Sequence, residues 1–341
     1  MKAGVAAIFA LLLVPGCAES RGTGASDVRR TAEELLVFRV TTAARGPRYD
    51  LVLAQADGRV HCVIVGESRR PSLQPALFQR GSWAPDGRRI AFTLDRGRGR
   101  GRLSSPTDIY VADSNGSRLR RLTTSGVAFA PVWTPDGSAI VYAQRERGER
   151  FPLTSLWTMR FDGRSKRKLV AARQGQLDLP GSWSPDGRLL AFTQTRLEGA
   201  GLAFRSSIVS VRPDGSRLRM LVPDGADPAY SPDGRELAFV SDRDRNGELF
   251  YGDRAFFANE LYVAAADGSR PRRITYTRAL NERAPAWSPS GQLLAFQRGR
   301  VTENAEAMEV LVRARGGRAR PILSDRRLRT WWALPAWRPA R

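Results

Sequence analysis

The chain is poor in the side chains that hydrolase and zinc sites draw on. Of its 341 residues, one is histidine and two are cysteine. The histidine, His61, is the only base a Ser-His-Asp triad could use, and no Gly-x-Ser-x-Gly elbow accompanies it. It sits in a strand-like run, where packing is the competing role. Zinc needs clustered His and Cys ligands, which are absent. Beyond the first residues, no stretch is apolar for the roughly 20 residues a membrane helix requires. Acidic residues are also in deficit, 34 against 55 Lys and Arg, for a net charge of +21. Such a field favours anionic partners: lipid headgroups, cell-wall polymers or acidic proteins. An arginine-rich proteome would give the same figure without a function attached.

The one strongly apolar run is at the start. Lys2 precedes Val5 to Val14, and small residues follow, the pattern of an export signal. Val14-Pro15-Gly16-Cys17 resembles a bacterial lipobox, whose cysteine is lipidated and becomes the new N-terminus. An ordinary cleaved signal with an incidental cysteine is the alternative. If Cys17 carries lipid, Cys62 is left without a disulfide partner. Residues 1–16 then form a signal peptide, and the glycine-rich, polar residues 17–33 a lipid-anchored tether. Residues 34–341 form one domain. Export makes nucleic acid the least suitable partner.

A repeat runs through that domain. Its copies are Trp83-Ala84-Pro85-Asp86-Gly87, Trp133-Thr134-Pro135-Asp136-Gly137, Trp183-Ser184-Pro185-Asp186-Gly187, Tyr230-Ser231-Pro232-Asp233-Gly234 and Trp287-Ser288-Pro289-Ser290-Gly291. Trp337-Arg338-Pro339 is a truncated sixth. Proline presets the first central position of a turn and glycine closes it. An apolar strand follows each copy, such as Ile90-Ala91-Phe92 or Leu237-Ala238-Phe239. A second strand comes after a variable gap, then a tight Asn-Gly or Asp-Gly turn and a last short strand. Four strands per unit without helical periodicity describe a propeller blade, apolar on both faces because each blade packs between two others.

The motif resembles the TolB-type propeller repeat, related to the tryptophan-aspartate (WD40-like) repeats, over residues 34 to 341. The resemblance implies an all-β, six-bladed β-propeller of four-stranded antiparallel blades. Residues 34–65 read as three strands without a leading Trp-Pro motif, and Leu334 to Pro339 as the missing first strand. The two termini are therefore expected to share one blade, which removes an open sheet edge. Gram-negative TolB proteins carry a further N-terminal domain, for which residues 18–33 leave no room.

Turns after the first and third strands of each blade are short. Those after the second and fourth are long and lie on the opposite face, where recognition is expected. On this face Trp331 and Trp332, the loop arginines Arg98, Arg100 and Arg102, and Phe256 and Phe257 are the candidate contacts, since interface hot spots favour aromatic residues and arginine. Burial as blade caps is the alternative for each aromatic. One loop has calcium-ligand spacing: Asp242, Asp244, Asn246 and, twelfth, Asp253, with Gly247 sixth. A plain hairpin turn is the competing reading, and no other cofactor is expected. The leading function is a monomeric, non-enzymatic scaffold at the cell envelope, membrane-anchored by lipid on the extracytoplasmic or periplasmic side, binding a protein or peptide. The alternatives are an electrostatic binder of anionic polymers or lipids, and a hydrolase or lyase with a central-channel site.

Overall fold

The computed structural model describes residues 33–43, 46–66, 74–75, 81–95, 106–146, 153–198, 203–251, 254–277, 280–300, 307–324 and 330–340. These contain strands and no helix, and they form a β-propeller of four-stranded antiparallel blades.

The chain begins with β1 (Glu34–Ala43), β2 (Gly46–Gln55) and β3 (Val60–Gly66), in consecutive antiparallel pairs. Next come β4 (Gln74–Pro75), β5 (Ser82–Trp83), β6 (Arg89–Asp95), β7 (Thr107–Asp113) and β8 (Arg120–Arg121); β4 and β5 both pair with β6. The next two four-strand runs are β9 (Ala128–Trp133), β10 (Ala139–Glu146), β11 (Leu153–Arg160), β12 (Arg167–Val170), and β13 (Gln176–Trp183), β14 (Leu190–Glu198), β15 (Ala203–Val211), β16 (Arg219–Pro223). Then β17 (Ala226–Tyr230) and β18 (Glu236–Ser241) lead into a separate hairpin, β19 (Glu248–Tyr251) and β20 (Arg254–Phe257), before β21 (Glu260–Ala265) and β22 (Arg272–Arg273) complete that blade. The last blade is β23 (Asn281–Trp287), β24 (Leu293–Arg300), β25 (Ala307–Ala314) and β26 (Ala319–Leu323). Finally β27 (Thr330–Trp337) returns to pair with β1, with Leu35 opposite Trp337.

Six separate blades are not what the hydrogen bonding gives. Four blade-sized sheets stand apart, and β9–β16 form one continuous eight-stranded sheet. A single parallel pair, Thr154 with Leu177, joins β11 to β13. The cause is the path of the chain, which crosses the start of the third strand as it enters the next innermost strand. The same crossing leaves an isolated parallel bridge at Thr107–Val127, and Glu282 N–H donates to Asn259 O at 3.0 Å.

The core lies between neighbouring sheets rather than within one. Ile109 and Val111 of β7 pack with Trp133, Ile140 and Tyr142 of the next run, and all are buried. At the seam, Val37, Val52 and Val63 meet Ala295, Val310 and Trp337. The Trp337 indole donates to Ala286 O at 3.0 Å, and Arg338 reaches Glu34 at 2.6 Å and Gly87 O at 2.9 Å. The shared terminal sheet is therefore as the sequence predicts. Cys62, fully buried in β3, is disulfide-bonded and is not a free thiol. This departs from the expectation that it has no partner; the other cysteine, Cys17, lies outside the described residues. His61 is half exposed and paired, its Nε2 3.2 Å from Glu34. That contact first, then Arg338, brings Glu34 down to about 2.

Candidate functional site

The two faces of the ring carry different chemistry. On the short-turn face every complete motif makes the same turn. Glycine N–H donates to the carbonyl three residues back, as in Gly137 to Thr134 at 2.9 Å and Gly187 to Ser184 at 2.8 Å. The Ser or Thr hydroxyl donates to the turn aspartate, at 2.6 Å for Thr134–Asp136, Ser184–Asp186 and Ser231–Asp233. These hydroxyl bonds, then the bond from a backbone N–H, hold Asp136, Asp186 and Asp233 below the usual carboxylate range. Where Ser290 replaces aspartate, its hydroxyl meets Ser288 at 2.9 Å and the glycine bond survives at 2.8 Å.

The long-loop face includes carboxylates that are sealed from water. Glu260 and Glu282 are 1% and 0% exposed. Glu260 Oε1 accepts from Arg273 at 3.0 Å, Asn246 Nδ2 at 2.9 Å and Thr277 N at 2.7 Å, while its Oε2 has no partner among the described residues. Glu282 Oε2 accepts from Leu261 N at 3.1 Å and from the Thr275 hydroxyl. Burial, to which the Glu260 charge adds, pushes Glu282 up to about 7 despite the Thr275 bond. Asp178, fully buried on β13, goes the same way. Burial raises it to about 7, although Gln176 Nε2 lies 3.1 Å from both its oxygens. Both residues stand five before their motif tryptophan, Trp183 or Trp287, where the other repeats have Phe78, Ala128, Gly225 or Trp332. An acid at a position that is otherwise uncharged is the sequence signal that could have found them.

Part of this network is a repeated structural device. In β7 and β8, Asp108 accepts from Arg121 at 2.8 Å and Thr123 at 2.9 Å, and Ile109 N–H donates to Thr123 at 2.9 Å. Glu260, Arg273 and Thr275 repeat this, with Leu261 N–H donating to Thr275 at 2.8 Å. Glu282 and Asn246 are additions to it.

The proposed calcium loop falls beside this network. Asp244 accepts from the Tyr262 hydroxyl and from Arg273 at 3.0 Å, and these contacts keep it below the carboxylate range, the Tyr262 bond first. Asn246 turns to Glu260, and Asp242 is exposed. Asp253 lies outside the described residues. Among the described residues no three His, Cys, Asp or Glu side chains are grouped to hold a metal.

Of the partner candidates, Phe257 is half-buried, with the Arg245 guanidinium 5.6 Å from its ring centre. Phe256 stands opposite Leu249 on the β19–β20 hairpin. Trp331 and Trp332 stand opposite Val40 and Arg39 on β27. The sheet β23–β26 separates these two groups. Cys17, Arg98, Arg100 and Arg102 lie outside the described residues. The sequence reading missed Tyr276, 76% exposed just beyond β22; Phe204, at the start of β15, is 56% exposed, and Leu179, midway along β13, is 37% exposed.

Antiparallel four-stranded sheets packed face to face around a ring, each entered through the same proline turn, define a β-propeller built from sequence repeats. Residues 78–225 match the family model described as the TolB beta propeller domain, so this stretch carries the TolB-type propeller repeat. It is 30% identical over 150 residues to a protein TolB homolog of Chlorobium luteolum, covering 43% of this chain and 31% of that protein. It is 24% identical over 255 residues to a Tol-Pal system protein TolB of Francisella tularensis, covering 74% and 52%. The chain thus spans about a third to a half of these relatives' length. In structure it resembles TolB from Acinetobacter baumannii, with a TM-score of 0.66 at 19% identity, covering 90% of this chain and 67% of that one.

Proposed function

We propose that the chain is an exported, lipid-anchored propeller that acts as a non-enzymatic scaffold and binds an envelope protein or peptide on its long-loop face. The observation that carries this reading is the exposure of Tyr276 and Phe204 on that face. Large apolar side chains left in water on a rigid frame suit a partner surface. The likeness to Tol-Pal system TolB proteins supports a place in the envelope. The reading counts the eight-stranded sheet as two blades, for six in all. It takes residues 1–16 as a leader and 17–33 as a tether from a lipidated Cys17. A lipid thioether on Cys17 leaves no sulfur there for Cys62, so the intact mass of the mature chain, with and without reductant, decides between the two.

The test is photo-crosslinking in the native envelope, with the probe at Tyr276 and a control at Asp57, a turn residue of the opposite face. A discrete adduct from position 276 alone, persisting in high salt, is expected. Equal diffuse labelling from both positions would overturn the reading. It would favour the alternative that the net charge of +21 supports, a salt-sensitive binder of anionic polymers or lipids.

A further inference from the structure

The short-turn face, which the reading above leaves unused, has a groove of about 670 Å³ between two neighbouring four-strand units. Four turns frame it: those after β13 and β15 on one side, and those after β17 and β21 on the other. Its volume is within the range of sites that hold small ligands or short peptide segments.

The charges in this groove divide into two groups. Its carboxylates are committed to their own turns: Asp186 to the Ser184 hydroxyl and Arg188 N, Asp233 to Ser231 and Arg235 N, and Asp267 to Ser269 N at 2.9 Å. Of its arginines, Arg188 Nε lies 3.6 Å from Asp186. Arg212, Arg217 and Arg219 are exposed, and among the described residues none of their guanidinium groups makes an ion pair or hydrogen bond. Arg219 is close enough to Asp267, and Arg212 to Asp214, to favour those carboxylates' charged form, but the three guanidinium forks keep their hydrogen-bond donors free for added carboxylates, which they can grip with paired bonds.

The remaining surface is suited to a peptide. Leu189 and Leu221 line the groove with Tyr230, whose buried hydroxyl has no partner among the described residues. Burial raises that hydroxyl to about 12, so it stays a neutral donor. Leu218 and Met220, 55% and 56% exposed, stand between these residues in sequence but are not part of the groove lining. Arg217, Arg219 and Leu221, at every second position, therefore share the groove wall, with cationic and apolar side chains in one row.

We infer that this inter-blade groove binds an extended acidic peptide segment, with its carboxylates on Arg212, Arg217 and Arg219 and its apolar side chains on Leu189 and Leu221. This is a second surface, opposite the long-loop face, so its test is independent of the crosslinking outcome.

The probe is a fluorescein-labelled octapeptide of alternating Glu and Leu, followed by anisotropy against the full chain, with a Lys–Leu octapeptide as the matched control. The acidic peptide should bind and the basic one should not. The triple variant Arg212→Gln, Arg217→Gln, Arg219→Gln should weaken binding at least tenfold. A charge-matched triple on other turns of the same face, Arg59→Gln, Arg118→Gln, Arg164→Gln, should change it less than threefold. Substituting the three groove arginines with Glu should reverse the preference toward the Lys–Leu peptide, which checks that the groove is intact. Equal loss in both Gln triples, or no binding of the acidic peptide, would overturn the inference. Labelled polyphosphate that binds more tightly than the peptide and is lost with the groove triple would also overturn it, in favour of a phosphate polymer.

Discussion

The two faces of this ring treat the same chemical group in opposite ways. On the short-turn face, aspartates sit in water and accept bonds from their own turns, so their proton affinity falls. On the long-loop face, Asp178 and Glu282 are sealed from water, and their affinity rises to near neutrality. The repeat places every blade's turns on one face and its crossovers on the other, and among the described residues only at the crossovers are carboxylates buried deeply enough to hold a proton near neutrality; exposed Asp244 on that same face stays below the usual range. The difference is one of solvent and donor count rather than residue type.

The largest test asks whether the faces belong to one unit. Trp337 is 7% exposed at the seam and bonded to Ala286 O. Trp337→Ala should cost about 3–5 kcal/mol, read as a lower urea midpoint in one cooperative transition. An unchanged midpoint would mean the ring does not depend on its seam. Two separate transitions would mean that the faces are not held by one structure.

The next test sharpens the contrast through pH. Glu282 keeps its proton up to about 7 in the fold, against an ordinary value of 4.5. Between those values the native state binds more protons than the unfolded one. The stability from this group is therefore complete below about 4.5 and is lost as pH rises through 7. Glu282→Gln should remove that slope, a change of up to about 3 kcal/mol between pH 4 and pH 8 relative to the parent chain. Asp178 adds a slope of the same sign. The turn aspartates act oppositely: their contribution is present above their ordinary 3.8 and is lost as acid protonates them. Urea melts from pH 3 to pH 9 should therefore give a maximum in the mildly acidic range. A maximum at pH 8 would refute the assignment.

The smallest effect is expected at a single turn. Ser184 donates to Asp186 at 2.6 Å and accepts from Leu189 N at 3.0 Å. Ser184→Ala should cost about 1 kcal/mol and return the Asp186 carboxyl toward its ordinary value, visible in an NMR titration. An unmoved Asp186 would show that the backbone N–H alone sets it.

What was legible in the sequence follows from how local each feature is. The Trp-x-Pro-Asp-Gly turns are fixed by proline and glycine geometry, and they sit where those residues place them. The seam was legible because residues 34–65 lack the motif that Trp337 supplies. The joining of β11 to β13 was not, because a main-chain pair between Thr154 and Leu177 is set by the path of the crossover and carries no residue signature. The surroundings of the calcium-spaced loop Asp242–Asp253 were not legible for a related reason. Arg273, 29 positions from Asp244, comes from another strand to bind it, and local spacing holds no trace of that. The groove on the short-turn face is a property of two neighbouring units, and its arginines lie in different turns.

The seam also sets an order in time. Glu34 and Arg338, 304 positions apart, meet at 2.6 Å, so the first strand made waits for the last. Throughout synthesis β1 has β2 on one side and an open edge on the other, the state that invites pairing with other chains. Strand β27 thus acts as the latch of the ring, and a chain cut short before Trp337 would keep the edge of β1 open.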